Sequence, residues 1–208
     1  MKKVIGPVLK IGVLMIAFLA TTEIICAQGS YQVEIQTERD STNAEFADST
    51  RSILLPEDLS SFHGLNYFPI NENFRVMATF KAIKNGKARA LKTSGTRTPL
   101  YKPYGTLSFK LEGKKYKMTL YQNVDPARPE LRNYLLLAFT DLTNDTETYG
   151  GGRYLDFDIS QVKEHMVIDF NRAYNPYCAY NHKYSCVIPP AENALKVRIE
   201  AGAKKFHE

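Results

Sequence analysis

The residues able to do chemistry in this chain gather in its last third. Between Tyr149 and Asn193 stand Arg153 and Arg172, the acids Asp156, Asp158, Asp169 and Glu192, and the loop tyrosines Tyr174, Tyr177, Tyr180 and Tyr184. Paired carboxylates perform acid–base work once burial separates their pKa values, and arginine steadies an anion through charge-assisted hydrogen bonds. No nucleophile–base pair accompanies them. The same inventory also suits a recognition rim, or a set of hydrogen bonds fastening a long loop to a sheet. The candidates for ligand binding are therefore Arg153, Asp156, Asp169, Asn171, Arg172, Tyr174, Asn175, Glu192 and Asn193.

Two cysteines, Cys178 and Cys186, share this segment with His182 midway between them. In an exported protein an even pair reads first as a disulfide, closing a short loop worth about 2.5 kcal/mol in the chain-entropy model. The alternatives are a metal site through Cys178, His182 and Cys186, which needs a fourth ligand, and a pair of reactive thiols. Pro176 before the cysteines and Pro189-Pro190 after them work against the helix that would put all three ligands on one face. Gly150, Gly151 and Gly152 offer backbone N–H groups to a phosphate, but such loops precede a helix. Here a strand pattern follows, so a tight turn or bulge is the simpler reading. No cofactor is implied.

Asp156 and its neighbours need a scaffold, and the composition supplies one. The 208-residue chain is 44% apolar and 24% charged, with 13 Tyr, 11 Phe and no Trp. These are globular values, which exclude a disordered, collagenous or cysteine-stapled chain. Lys2, Lys3 and Lys10, the apolar run from Ile11 to Ala20 and the small residue Ala27 read as a bacterial export signal over residues 1–27, cleaved before Gln28. Acylation at Cys26 is the alternative, disfavoured by Glu23-Ile24-Ile25. Export implies a periplasmic or extracellular location, and no later apolar run is long enough to span a membrane. Losing Lys2, Lys3, Lys10 and Glu23 lowers the formal net charge from +5 to +3. That excess gives no case for nucleic acid. The basic stretch Lys81 to Lys92 reads as solvated residues around a turn at Asn85-Gly86.

Residues 28–208 read as a single domain. Pro56, Glu57 and Asp58 predict a short helix to Phe62. Period-two alternation begins at Phe74 and continues through a hairpin from Gly105 to Tyr121 turning at Gly113. Tyr134 to Thr140 suits a strand buried on both faces, and Tyr154 to Ile159, Met166 to Phe170 and Leu195 to Ile199 predict three more. The expected fold is mainly β: an antiparallel sandwich or partly closed barrel with one or two short N-terminal helices.

The strings LLPEDLSSFHGLNYFPINENFRV, GGGRYLD, DFNRAYNPYCAYN, IPPAEN and KVRIEAGAK, spread over residues 28–204, resemble an uncharacterised bacterial and archaeal family known only as a domain of unknown function. The resemblance implies that the glycine-rich and DFNRAYN segments belong to one site or one structural knot, and it brings no activity. The functional expectation is a ligand-binding domain for an unknown small molecule or envelope component. The alternative is an envelope enzyme using Asp156, Asp169 or Glu192 as acid or base beside Arg153 or Arg172.

Overall fold

The computed structural model describes residues 29–207. The segment read as an export signal and the alternative acylation site at Cys26 lie outside them. The chain divides into two compact units, one ending at Thr42 and the other starting at Asn43.

A single helix, α1, occupies residues 29–47, longer than the short helices expected. No glycine or proline interrupts it after Gly29. The polar side chains that blur its periodicity bond along the helix itself. Thr37 Oγ1 donates to the Val33 carbonyl at 2.7 Å and Thr42 Oγ1 to that of Glu38 at 2.9 Å. This back-bonding to the preceding turn accommodates threonine within a helix.

In the second unit α2 (Pro56–Ser60) begins on its proline with Glu57 and Asp58 in the first turn, as the dipole favours. The strands are β1 (Arg75–Ala82), β2 (Arg89–Ala90), β3 (Leu100–Leu111), β4 (Lys114–Asn123), β5 (Tyr134–Phe139), β6 (Arg153–Asp158) and β7 (His165–Asp169). They form one antiparallel sheet in the order β6-β5-β4-β3-β1-β7, with β2 added to β3. Of the two architectures expected this is the open barrel, a half-barrel rather than a sandwich. The β3–β4 hairpin turns through Glu112 and Gly113, both left-handed at φ 49° and 75°, the combination a tight hairpin demands. A bulge between Pro103 and Gly105 bends β3. A Cβ on Gly105 would sit 2.1 Å from the Phe80 ring, so the bend depends on glycine.

One face of the sheet carries the main core: Leu107 and Phe109 of β3, Met118 and Leu120 of β4, Leu135, Leu137 and Phe139 of β5, Leu155 of β6 and Ile168 of β7. Burying a side chain of this size contributes roughly 1.5–3 kcal/mol. Leu195, Val197, Ile199 and Ala201 lie against this core at period two. The strand predicted over Leu195–Ile199 is nevertheless absent from the ladder. The segment shares two backbone hydrogen bonds with the stretch after β5, from the Leu195 N–H to the Thr140 carbonyl at 2.8 Å and from the Leu142 N–H to the Val197 carbonyl at 3.0 Å, and polar side chains take over beyond them. The Ile199 N–H donates to Asp141 Oδ1 at 3.1 Å, and the Ile199 carbonyl accepts from Arg153 Nη2 at 2.8 Å. Alternation reports burial on one side; it does not guarantee a backbone partner.

Candidate functional site

The opposite face of β3–β6 is built from tyrosines. Strand parity fixes this. Tyr121 is out of phase with Met118 and Leu120, Tyr134 with Leu135 and Leu137, and Tyr154 and Asp156 with Leu155. Tyr101, Tyr121, Leu136, Ala138 and Tyr154 form a second apolar cluster with Leu91 and Val187, against which Tyr134, Tyr174 and Cys186 pack. Tyr174 joins through its backbone: its N–H and carbonyl exchange hydrogen bonds with Tyr154 at 3.1 and 2.9 Å. Its ring meets that of Tyr154 edge-on at 5.9 Å.

Asp156 stands on this face directly across the β5–β6 ladder from Leu136. The Tyr134 and Tyr174 hydroxyls both donate to its Oδ1, at 2.7 and 2.6 Å. The residue is solvent-exposed, yet the protein crowded around it raises its pKa against the lowering effect of those two hydrogen bonds. Burial pushes both phenols far above their usual range, so both remain protonated donors. Among the described residues, Oδ2 has no hydrogen-bond partner and no cationic side chain bonds to Asp156. Tyr101 and Tyr177 lie within electrostatic reach of the same carboxylate.

Glu192 also reaches this face. It accepts from Tyr121 Oη and Arg89 Nη2, and Arg89 bonds the same phenol. Burial works to raise the Glu192 pKa, but these hydrogen bonds and the Arg89 charge outweigh it and hold the carboxyl below its ordinary value.

The remaining predicted site residues are built into the fold. Arg153 is fully buried, with Nη2 donating to Asp141 Oδ2 at 2.8 Å and Nη1 to the Ala201 carbonyl. Asp169 accepts from the Asn171 N–H and Nδ2, both at 3.0 Å, and from Arg172 Nη1 at 3.1 Å. Asn171 in turn grips the backbone of Asn71, its Oδ1 accepting and its Nδ2 donating at 2.9 Å. Buried Asn175 donates to the Lys204 carbonyl at 2.7 Å.

Asn193 replaces part of a ladder. Strands β4 and β5 pair only from Tyr121 to Gln122 and then diverge. In the gap, Asn193 Oδ1 accepts from the Thr119 N–H at 2.7 Å, while Nδ2 donates to the Thr119 and Ala138 carbonyls at 2.9 and 2.8 Å. The side chain is completely buried.

The triple glycine is the expected tight turn. Gly152 adopts φ +87°, and a Cβ there would meet the Phe139 carbonyl at 2.6 Å.

The disulfide expected between Cys178 and Cys186 is not formed; both cysteines are free. They are nonetheless neighbours, with the Cys178 N–H donating to Cys186 Sγ at 3.2 Å. The Cys186 thiol hydrogen bond lowers the Cys178 pKa to about 6, aided by Ser94 and Tyr149, while Cys186 is raised. His182 points to no shared centre. Among the described residues no three His, Cys, Asp or Glu side chains are grouped to hold a metal, which removes the Cys178–His182–Cys186 alternative. Its one-turn 3₁₀ segment, Tyr177–Ala179, ends before His182 is reached, so the three do not share a helical face.

With the site's geometry in place, known proteins can be compared. The model of the family described as Protein of unknown function (DUF1684) matches residues 60–204. The chain belongs to that family. It is similar to a solution NMR structure of an uncharacterised protein of Haloarcula marismortui, with 30% identity and a TM-score of 0.65, over 86% of this chain and 96% of that one. No curated protein matches the chain. The resemblance read from the motif strings and the mainly β fold are thus established for this DUF1684 member.

Sequence reasoning missed Tyr101, Tyr121, Tyr134 and Arg89 as parts of the tyrosine face. The signal was parity. Tyr121 and Tyr134 each sit out of phase with an apolar row.

Proposed function

We propose that this DUF1684 member is an exported ligand-binding domain whose ligand seats at Asp156 on the tyrosine face of β3–β6. Export is supported by the charged, apolar and small-residue pattern of residues 1–27. Binding is supported above all by the Asp156 carboxylate, solvent-reached, held on one oxygen by two tyrosines and open on the other. Tyrosine suits such a surface because it combines a large apolar ring with a directed hydroxyl. The ligand is a small molecule or a fragment of an envelope component. Of the nine residues singled out from sequence, Asp156, Tyr174 and Glu192 would face it, and the other six hold the sheet and loops that carry them.

In the oxidising compartment the Cys178–Cys186 pair closes to a disulfide, both thiols losing a proton and two electrons passing to an exogenous disulfide. Nonreducing intact mass of the secreted protein should show the loss of two hydrogens and cleavage before Gln28. A full-length mass with three alkylatable thiols would refute both.

The binding reading is tested by titrating isotope-labelled mature protein with a panel of small amines, sugars, carboxylates and phosphates and following amide shifts. A ligand should move Leu136, Asp156 and Tyr174 together, and Asp156→Asn should abolish that response. Shifts confined to other surfaces, or none across the panel, would refute it.

The second reading is an enzyme using Asp156 as acid or base, favoured by the raised pKa of a solvent-reached carboxyl. Against it, Arg153 and Arg172 are engaged with Asp141 and Asp169, which removes the two expected anion stabilisers. Turnover of a bound panel member that disappears in Asp156→Asn would favour the enzyme.

A further inference from the structure

We infer that the ligand anchored at Asp156 carries a primary ammonium group, received by Asp156 Oδ2 and the phenolic oxygens of Tyr134 and Tyr174. This deepens the binding reading above and rests on it.

Three acidic or phenolic groups converge at this point, and none has a proton left to give. The carboxylate carries none, and both phenol hydrogens are committed to Oδ1, at 2.7 and 2.6 Å. The two phenols are also close enough to each other to interact. What the cluster presents outward is lone pairs: a set of acceptors without a donor. A primary ammonium is the complement, with three N–H donors, no acceptor and a full positive charge. A sugar hydroxyl brings lone pairs that would find no donor here. A carboxylate or phosphate would set its oxygens against those already present. A divalent cation needs six or more oxygen ligands or several charged ones, whereas this cluster offers a single carboxylate and two protonated phenols.

Charge points the same way. The buried carboxylates Asp141 and Asp169 and the exposed Glu192 each have an arginine, Arg153, Arg172 and Arg89 respectively. Asp156 has none among the described residues. Arg97 and Arg128 act through space on Tyr101 and Tyr177, and neither bonds to Asp156. A solvent-reached carboxylate crowded by protein and lacking a cation of its own is open to one brought by a ligand. The exposed ring of Tyr177, within electrostatic reach of the carboxylate, supplies apolar area for the carbon chain behind the nitrogen.

The test uses the mature protein and three probes of similar size at matched ionic strength: n-butylammonium, tetramethylammonium and n-butanol. n-Butylammonium should give saturable shifts at the Asp156 carboxylate and the Tyr134 and Tyr174 amides. The two other probes should bind about tenfold or more weakly, the first lacking N–H donors and the second lacking charge. Asp156→Asn keeps an oxygen for both tyrosine hydroxyls, so it should fold and lose the n-butylammonium response. Tyr174→Phe, which removes one acceptor, should weaken it and leaves a second variant if the first is unstable. Equal binding of n-butanol or tetramethylammonium, or an unchanged response in Asp156→Asn, overturns the ammonium assignment. Sugars or anions shifting these same nuclei while n-butylammonium does not would overturn it and leave the binding reading standing. Silence at these nuclei across all compounds removes both.

Discussion

Replacing Asn193 by alanine should destabilise the domain by about 3–5 kcal/mol. The buried amide makes three hydrogen bonds to backbone, at 2.7, 2.9 and 2.8 Å, in the gap where β4 and β5 part. Truncation orphans the Thr119 N–H and carbonyl and the Ala138 carbonyl. Each buried polar group without a partner costs about 1–3 kcal/mol, and partial relaxation keeps the total below the simple sum. A domain of this kind has roughly 5–15 kcal/mol in hand, so the loss removes a fifth or more of its stability. With a urea slope of about 2 kcal/mol/M, a loss of 3 kcal/mol moves the unfolding midpoint down by about 1.5 M. Equilibrium unfolding followed by tyrosine fluorescence and far-ultraviolet circular dichroism reads this directly. Asn193→Asp should be no better than alanine, because it turns the amide's two donors into lone pairs facing two carbonyls. A midpoint shift below about 0.5 M for Asn193→Ala would refute the view that this side chain completes the sheet.

Arg153→Met strands the buried Asp141 carboxylate and the carbonyls of Ile199 and Ala201, and should cost about 3–5 kcal/mol in the same unfolding assay. Gly152→Ala places a Cβ 2.6 Å from the Phe139 carbonyl at a left-handed φ and should lose about 2 kcal/mol or more, read as a lowered melting temperature. Asp156→Asn should stabilise the unliganded protein at pH 7. Burial raises the carboxyl's pKa in the fold, so the native state favours its protonated form. The penalty is absent below the unfolded value near pH 4, grows as pH rises through the folded value, and is constant above it. Melting curves of wild type and variant should therefore converge at acid pH and separate toward neutrality, and a variant less stable at pH 7 would contradict this.

Much of the sheet could be read from the residues because alternation in β1 and β3 reflects one dry face, and the Glu112-Gly113 turn has the backbone freedom it requires. Three things escaped. Helix α1 was underestimated because threonines that satisfy themselves on the preceding turn look like loop residues in a propensity scale. The stretch Leu195–Ile199 has a strand's pattern and lacks a full ladder, since at Ile199 its partners are an arginine and an aspartate distant in sequence. The candidate segment, Tyr149 to Asn193, is a dense run of polar residues, and Arg153, Asp169, Asn171, Asn175 and Asn193 turn inward to tie loops to the sheet. Asp156 differs only in what surrounds it, and that depends on Tyr134 and Tyr174 coming from opposite ends of the sequence segment. Type and spacing could not separate a carboxylate used up by the fold from one left open. Pairing with arginine does.

The guanidinium of Arg153 binds carbonyls 46 and 48 positions downstream. During synthesis that arginine emerges long before the peptide groups it must meet. Until they arrive, the growing polypeptide holds an unsatisfied cation where its interior should be, and closure cannot be local or early. Around this arginine the fold closes only once the peptide groups of Ile199 and Ala201 are in place.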